Sequence, residues 1–280
     1  MSYQFKDIEV IENLPFAEYQ AIDAMNGSKL KDIRSNAAQF MWEQVNPVDE
    51  SGNTAFAIGT ALHTLVLEPE LFATEIAVFE KTRRSVKDYA AFVEVNEGRT
   101  VITAAEHGIV QLMAQAVESD DTAVDLLEGM HEVTVIGTHI ATGVRCKGRF
   151  DNWCAAEMAV VDLKSAKDAS MSKRGFPKAI EDYGYFLSAS LYADLAQAAF
   201  CTEADTVEHI WVVAEKPTSA DSAVPPLGVY GAKAFMDIGR QAYVAALEKW
   251  LVIEPLLSEM KAPNYTDGVM ELEPSVWLRP

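Results

Sequence analysis

Between Glu132 and Leu163 the spacing of apolar residues changes period, and this constrains the fold more than any other feature of the chain. Up to Leu127 apolar side chains recur every three or four positions, as in helices. From Glu132 they alternate with polar ones, as in half-buried strands. Glu132–Ile136, Ile140–Phe150 and Met158–Leu163 read as three strands with short connections, and Gly137 and Gly143 mark turns or bulges.

Helical patterns flank these strands. Phe16, Tyr19, Ile22 and Met25 share one spacing until Asn26-Gly27-Ser28 interrupts it. Ser28 then serves as a cap for a second helix through Leu30, Ile33, Ala37 and Phe40, ended by Asn46-Pro47. Glu50–Asn53 is a loop, and Thr54–Leu67 is an apolar helix stopped near Pro69. Residues 77–100 are polar, with a basic knot of Lys81, Arg83, Arg84 and Lys87, and read as a loop or short helix. Thr103–Leu127 is a helix whose Thr103 and Glu106 have capping-box spacing. Beyond the strands, Pro177–Phe200 is a long helix, Val207–Ala214 and Gly228–Gly231 are strands, and Lys233–Met260 is a closing helix. That last helix sets Phe235, Ile238, Tyr243 and Leu247 on one side. There is no repeat and no interdomain linker. The pattern predicts one α/β domain over residues 1–280: an N-terminal helical part (15–75), a core (130–215), and a C-terminal strand and helix (216–280).

The net charge is −19, which opposes loose, non-specific binding of nucleic acid. Arg145–Lys178 reverses the sign, with eight basic residues against four acidic ones. Three cysteines without a CxxC pair argue against a disulfide framework, a zinc ribbon or an iron–sulfur cluster, and point to a reducing cytoplasm. No apolar run reaches the ~18 residues of a membrane helix, and Met1–Asp7 lacks the layout of a secretion signal. GxSxG, P-loop and dinucleotide glycine motifs are absent, so neither a serine hydrolase nor ATP-driven chemistry is expected.

The chemistry-bearing segments are Gly148-Arg149-Phe150-Asp151 and Val160-Val161-Asp162-Leu163-Lys164. In a hairpin, Asp151 and Asp162 converge on one point. The strand period sets Asp162 and Lys164 on one face and turns Leu163 into the core. Paired hard oxygen ligands suit Mg²⁺ or Mn²⁺, which also take phosphate oxygens. A lysine beside such an ion can act on the attacking water or offset phosphate charge. His63, in an apolar helix, is a further ligand candidate. Nearby Gly59 costs that helix up to about 1 kcal/mol and so suggests a close approach. Glu132 heads the first strand as another carboxylate. Each of these also has an ordinary reading: a turn aspartate, a hydrogen-bonded core histidine, a strand-edge glutamate.

The series Gly59-x-x-x-His63, Glu132, Gly148-Arg149-Phe150-Asp151, Asp162-Leu163-Lys164 and Tyr192 resembles the PD-(D/E)XK nucleases of the RecB type. Within that group it is most similar to RecE-type exonuclease VIII proteins of phages and prophages. Tyr19–Lys31, Gly59–Pro69 and Asp182-Tyr183-Gly184-Tyr185 carry the same likeness, which runs from about residue 15 to residue 215. It implies a restriction-endonuclease-like core (α-βββ-α-β, a mixed sheet flanked by helices) with helical additions at both ends. It implies His63, Asp151 and Asp162 as metal ligands, with the Leu163 carbonyl available as another. Lys164 would act on the water or the scissile phosphate, and Glu132 would sit at the edge of the metal site. Tyr192 would touch the DNA backbone or brace the site. The family commonly has glutamine where this chain has Ser188. The implied reaction is Mg²⁺-dependent resection of double-stranded DNA ends, 5′ to 3′, with Mn²⁺ able to substitute. The implied partners are a single-strand annealing protein and further copies of the chain in a ring around DNA. Lys29, Lys31, Arg34, Arg149, Lys167, Lys173 and Arg174, with the Lys81–Lys87 knot, are the expected backbone or terminal-phosphate contacts. A structure-specific or single-strand endonuclease on the same core, and a non-catalytic DNA- or protein-binding module, are the competing readings.

Overall fold

The computed structural model describes residues 3–47, 54–85, 87–201 and 206–259. The loop expected at Glu50–Asn53, the end of the closing helix at Met260 and the tail beyond it lie outside the described residues. In chain order the elements are β1 (Phe5–Ile11), α1 (Phe16–Ala21), α2 (Gly27–Val45), α3 (Thr54–Leu67), α4 (Phe72–Glu75), β2 (Ile76–Phe79), α5 (Asp88–Val95) and β3 (Thr100–Thr103). Then come α6 (Ala104–Glu118), α7 (Asp121–Leu126), β4 (Met130–His139), β5 (Arg145–Cys154) and β6 (Ala159–Ala166). The chain continues with α8 (Phe176–Asp182), α9 (Tyr185–Phe200), β7 (Glu208–Glu215), β8 (Leu227–Gly231) and α10 (Met236–Ile253).

Six strands form one sheet in the order β1-β4-β5-β6-β7-β8. All neighbours are antiparallel except the parallel pair β6–β7, which the α8–α9 crossover makes possible. The series β4-β5-β6, α9, β7 is the expected mixed α/β core. Each face of the sheet has its own apolar layer. On one side Leu30 and Ile33 of α2, Leu187 and Leu191 of α9, and Tyr243 and Leu247 of α10 pack over Val133, Phe150, Val160 and Trp211. On the other, Ile58 and Leu62 of α3 and Val110 and Met113 of α6 pack over Val161, Leu163 and Val212. Val160 and Val161 thus serve opposite layers, as a strand buried on both faces requires.

Several expectations are corrected. β1 pairs with β4 at the sheet edge, and the stretch 77–100, expected as a loop or short helix, contains the short helix α5 but is also bounded by the parallel strands β2 and β3. The Thr103–Leu127 helix is broken near Ser119, where Asp120 caps α7, although the Thr103–Glu106 capping box is present. Gly184 (φ 63°) divides the Pro177–Phe200 helix. Asn26, not Ser28, caps α2: its extended backbone lets Oδ1 accept the Lys29 N–H at 2.9 Å. Ile238 is exposed, Ile140 lies in an exposed turn, and nothing lies within 4 Å of where a Cβ on Gly59 would be.

One irregularity builds the site. β5 and β6 pair only at Asn152↔Val161, Trp153↔Val160 and Cys154↔Ala159, and then part. On that edge of β5 the Met25 N–H donates to the Arg145 carbonyl at 2.9 Å, and the Lys147 N–H donates to the Met25 carbonyl at 2.7 Å. The N-terminus of α2 is thereby drawn to the point where the strands separate. Glu132, directly across β4 from Asp151 in the register, has φ 50°, a left-handed backbone rare outside glycine. Met130 and Val133 both reach the same apolar layer, as do Phe150 and Trp153, so alternation slips at this cross-strand pair. Gly148 is required one turn of pleat away: a Cβ there would stand 2.8 Å from the Phe150 ring and 2.9 Å from the Tyr192 ring. Gly148→Val is expected to destabilise the fold by about 1–3 kcal/mol through overpacking. Urea unfolding checks this, and an unchanged midpoint contradicts the close approach.

Candidate active site

His63 on α3, Glu132 on β4 and Asp151 on β5 each offer a ligand atom, and these atoms lie within 4.8 Å of one another. Where the β5–β6 ladder ends, Asp151 continues it with its side chain: Oδ2 accepts the Leu163 N–H at 2.8 Å. The same oxygen lies 3.6 Å from His63 Nδ1. The other imidazole nitrogen, Nε2, is 2.8 Å from the Leu163 carbonyl. A carbonyl only accepts, so Nε2 carries the proton and Nδ1 turns its lone pair toward Asp151. Burial, helped by the Lys164 charge, lowers the His63 pKa and keeps the ring neutral. A lone pair facing a carboxylate at this separation is the arrangement that a cation between them reconciles. The donor set of one imidazole and two carboxylates fits Mn²⁺ or Mg²⁺. The Leu163 carbonyl, expected as a further ligand, lies 2.8 Å from His63 Nε2 and fixes the ring's orientation.

Asp162 and Lys164 share a face of β6, and their side chains form an ion pair at 2.6 Å. Asp162 is therefore beside the His63–Glu132–Asp151 cluster rather than within it. Burial works to raise the Asp162 pKa, but Lys164 outweighs it and holds the group ionised. Burial and then the Asp162 charge push Asp151 up, and burial and Asp151 do the same to Glu132. For Lys164, burial opposes the charge but Asp162 and Asp151 overcome it, so the ammonium is held well above its usual range. Three carboxylates partly or wholly withdrawn from water thus share the neighbourhood with the paired cations Lys164 and Arg149.

The expected DNA contacts divide. Arg149 is not an open surface cation: it binds Glu132 and donates to the Leu14 carbonyl, with Phe16 stacked beneath it. That arrangement fixes Glu132 despite its strained backbone. Lys29 donates to the Ala24 carbonyl at 3.4 Å, and Arg34 lies exposed over the Phe186 ring. Lys31 enters the site, lying 5.7 Å from the centre of the Tyr185 ring. Lys167, Lys173 and Arg174 are exposed on the loop between β6 and α8, just beyond Lys164. In the knot, Lys81 pairs with Asp88 and Arg84 with Glu106.

Tyr192 packs against Phe150 (ring centres 5.4 Å apart), and its hydroxyl is held far above its normal pKa by burial. It lines a pocket of about 150 Å³ with Lys31, Asp162, Lys164, Ser188 and His209. Sequence reasoning missed His209. It is 2% exposed, neither ring nitrogen has a hydrogen-bond partner among the described residues, and burial lowers its pKa to about 4. The readable signal was its place two residues before Trp211 on one face of β7; the parallel pairing that sets Trp211 beside Asp162 was not readable.

The comparisons agree with this geometry. Residues 27–267 match the model of the PDDEXK-like domain of unknown function (DUF3799), and the chain belongs to that family. Its fold is therefore that of the PD-(D/E)XK nucleases. It is similar to the crystal structure of a protein from Eubacterium rectale described as a "putative exonuclease". The TM-score is 0.62 at 14% identity, over 95% of this chain and 97% of that one. A search of the curated proteins gives no match. No helix among the described residues is long and apolar enough to cross a membrane.

The raised Asp151 pKa has a consequence for stability. The native state binds this proton more tightly than the unfolded chain, so stability falls as pH rises from the ordinary aspartate value of about 4 toward neutrality. Asp151→Asn removes the charge and keeps an acceptor for the Leu163 N–H. Without metal, the variant is expected to melt a few degrees above the parent at pH 7.5, with the gain disappearing by about pH 4. Mn²⁺ should raise the melting temperature of the parent and not that of the variant. A variant that melts below the parent at pH 7.5 contradicts the assignment.

Proposed function

We propose that this protein is a divalent-metal-dependent exodeoxyribonuclease that resects the ends of double-stranded DNA. The carrying observation is the gathering of His63, Glu132 and Asp151 beside the Asp162–Lys164 pair. These residues come from one helix and three strands, with a net negative charge at their centre and a cation at the edge. His63, Asp151 and Glu132 would hold Mg²⁺, and Asp162 stands close enough to share the ion's field. When bound, the ion supplies Lewis acidity toward a phosphate oxygen and an acidified water.

The protein's own residues do the rest. Lys164 stays protonated beside two carboxylates, so its part is to offset charge developing on the phosphate rather than to remove a proton. Glu132, fixed by Arg149, orients the water. The water oxygen bonds to phosphorus, its proton passes to a carboxylate, and the bond from phosphorus to the departing oxygen breaks. The exposed cations Lys167, Lys173 and Arg174 support a DNA path past Lys164, within a surface whose overall charge confines DNA to that path. The likeness to RecE-type sequences supports the end preference, 5′-to-3′ polarity, ring assembly, annealing partner and cytoplasmic setting.

With Mg²⁺ the protein is expected to degrade linear duplex DNA and to leave closed circles intact. Asp162→Ala and Lys164→Ala should each lower the rate by about 100-fold or more. Nicking or linearisation of circles would replace the exonuclease reading with an endonuclease. Equal rates for parent and both variants would remove the nuclease reading.

A further inference from the structure

The Asp182-Tyr183-Gly184-Tyr185 motif has no part in the chemistry above, yet it stands at the mouth of the site. Tyr185 opens α9 and lines the pocket, with Lys164 Nζ 5.6 Å and Lys31 Nζ 5.7 Å from the centre of its ring. Tyr183 lies one step farther out. Its ring centre is 5.5 Å from that of Tyr185, at 32° between the planes, and the residue is 62% exposed. Gly184 makes this pairing possible. Its φ of 63° folds the chain between α8 and α9 so that both rings face one another, and a Cβ there would stand 3.2 Å from the Lys31 side chain. The result is an aromatic step from the phosphate-facing ammonium outward into solvent. Its inner ring is covered by two cations and its outer ring is open.

We propose that Tyr183 is a stacking platform for a base of the strand being cut, one nucleotide or two from the phosphate held at Lys164. The proposal rests on the nuclease reading and specifies how that site holds its substrate. Stacking on an aromatic face is available to every base, so the contact carries no sequence preference. It also requires the base to leave its partner, so the platform binds an unpaired end and favours local melting of the duplex terminus. The net charge at the inner ring suits the backbone, and the open outer ring suits the base.

The test uses the full chain with Ca²⁺ in place of Mg²⁺ and short duplexes carrying 2-aminopurine at each of the three terminal nucleotides in turn. At one position the parent is expected to quench the unpaired fluorophore by stacking. Tyr183→Ala should lose that quenching and Tyr183→Trp should keep it. In Mg²⁺, Tyr183→Ala should cut intact ends about tenfold more slowly, while an abasic residue at the same position should slow the parent and leave the variant no slower than it already is. Unchanged quenching in Tyr183→Ala, or equal slowing by the abasic residue in parent and variant, overturns the platform whether or not the parent cuts DNA. Absence of any fluorescence response in the parent also overturns it. Quenching that depends on Tyr183 in a parent that never cleaves DNA would keep the platform and remove the nuclease reading.

Discussion

One hydrogen bond, from the Leu163 N–H to the Asp151 carboxylate, stands where the backbone ladder between β5 and β6 gives out. Most of the site follows from that substitution of side chain for main chain. It holds Asp151 at the fork of the two strands and sets the Leu163 carbonyl to receive His63 Nε2. It leaves Asp162 and Lys164 projecting from the freed edge of β6. The same separation exposes an edge of β5 for Met25, which brings the start of α2 and Lys31 to the opposite rim.

The fork is held against its own electrostatics. Glu132, Asp151 and Asp162 are partly or wholly withdrawn from water within one neighbourhood, and Glu132 also has a left-handed backbone. Such strain costs about 1–3 kcal/mol and persists only where surrounding structure over-determines it. Here the surroundings are specific. Arg149 ties Glu132 to the Leu14 carbonyl, Lys164 ties Asp162, and two apolar layers fix the strands from either side. Closely spaced carboxylates with shifted titration, held by specific cationic partners, mark this fork as the candidate site.

Much of this was legible in the residues and some was not. The change of period at Glu132 located the three central strands. The series His63, Glu132, Asp151, Asp162 and Lys164, which the structure brings into one neighbourhood, was readable because those side chains sit on long, strongly patterned elements. The parallel strands β2 and β3 have four residues each, too few to show a period. β1 lies at the sheet edge with most of its side chains in solvent, so its alternation is weak. The two long helices expected at Thr103–Leu127 and Pro177–Phe200 each contain an interior break that apolar spacing passes over. Arg149 was counted with the surface cations since a sequence does not reveal that its guanidinium pairs with Glu132 on the neighbouring strand. His209 needed the parallel β6–β7 register before its place beside the site had meaning.

The central claim is that an imidazole from α3 and carboxylates from neighbouring strands share one divalent ion. Electron spin echo spectroscopy of the protein with one equivalent of Mn²⁺ addresses it most directly. The account predicts modulation from a single imidazole nitrogen, abolished in His63→Gln and retained in His209→Gln. Nitrogen coupling that is absent from the parent, or that survives in His63→Gln, would contradict it.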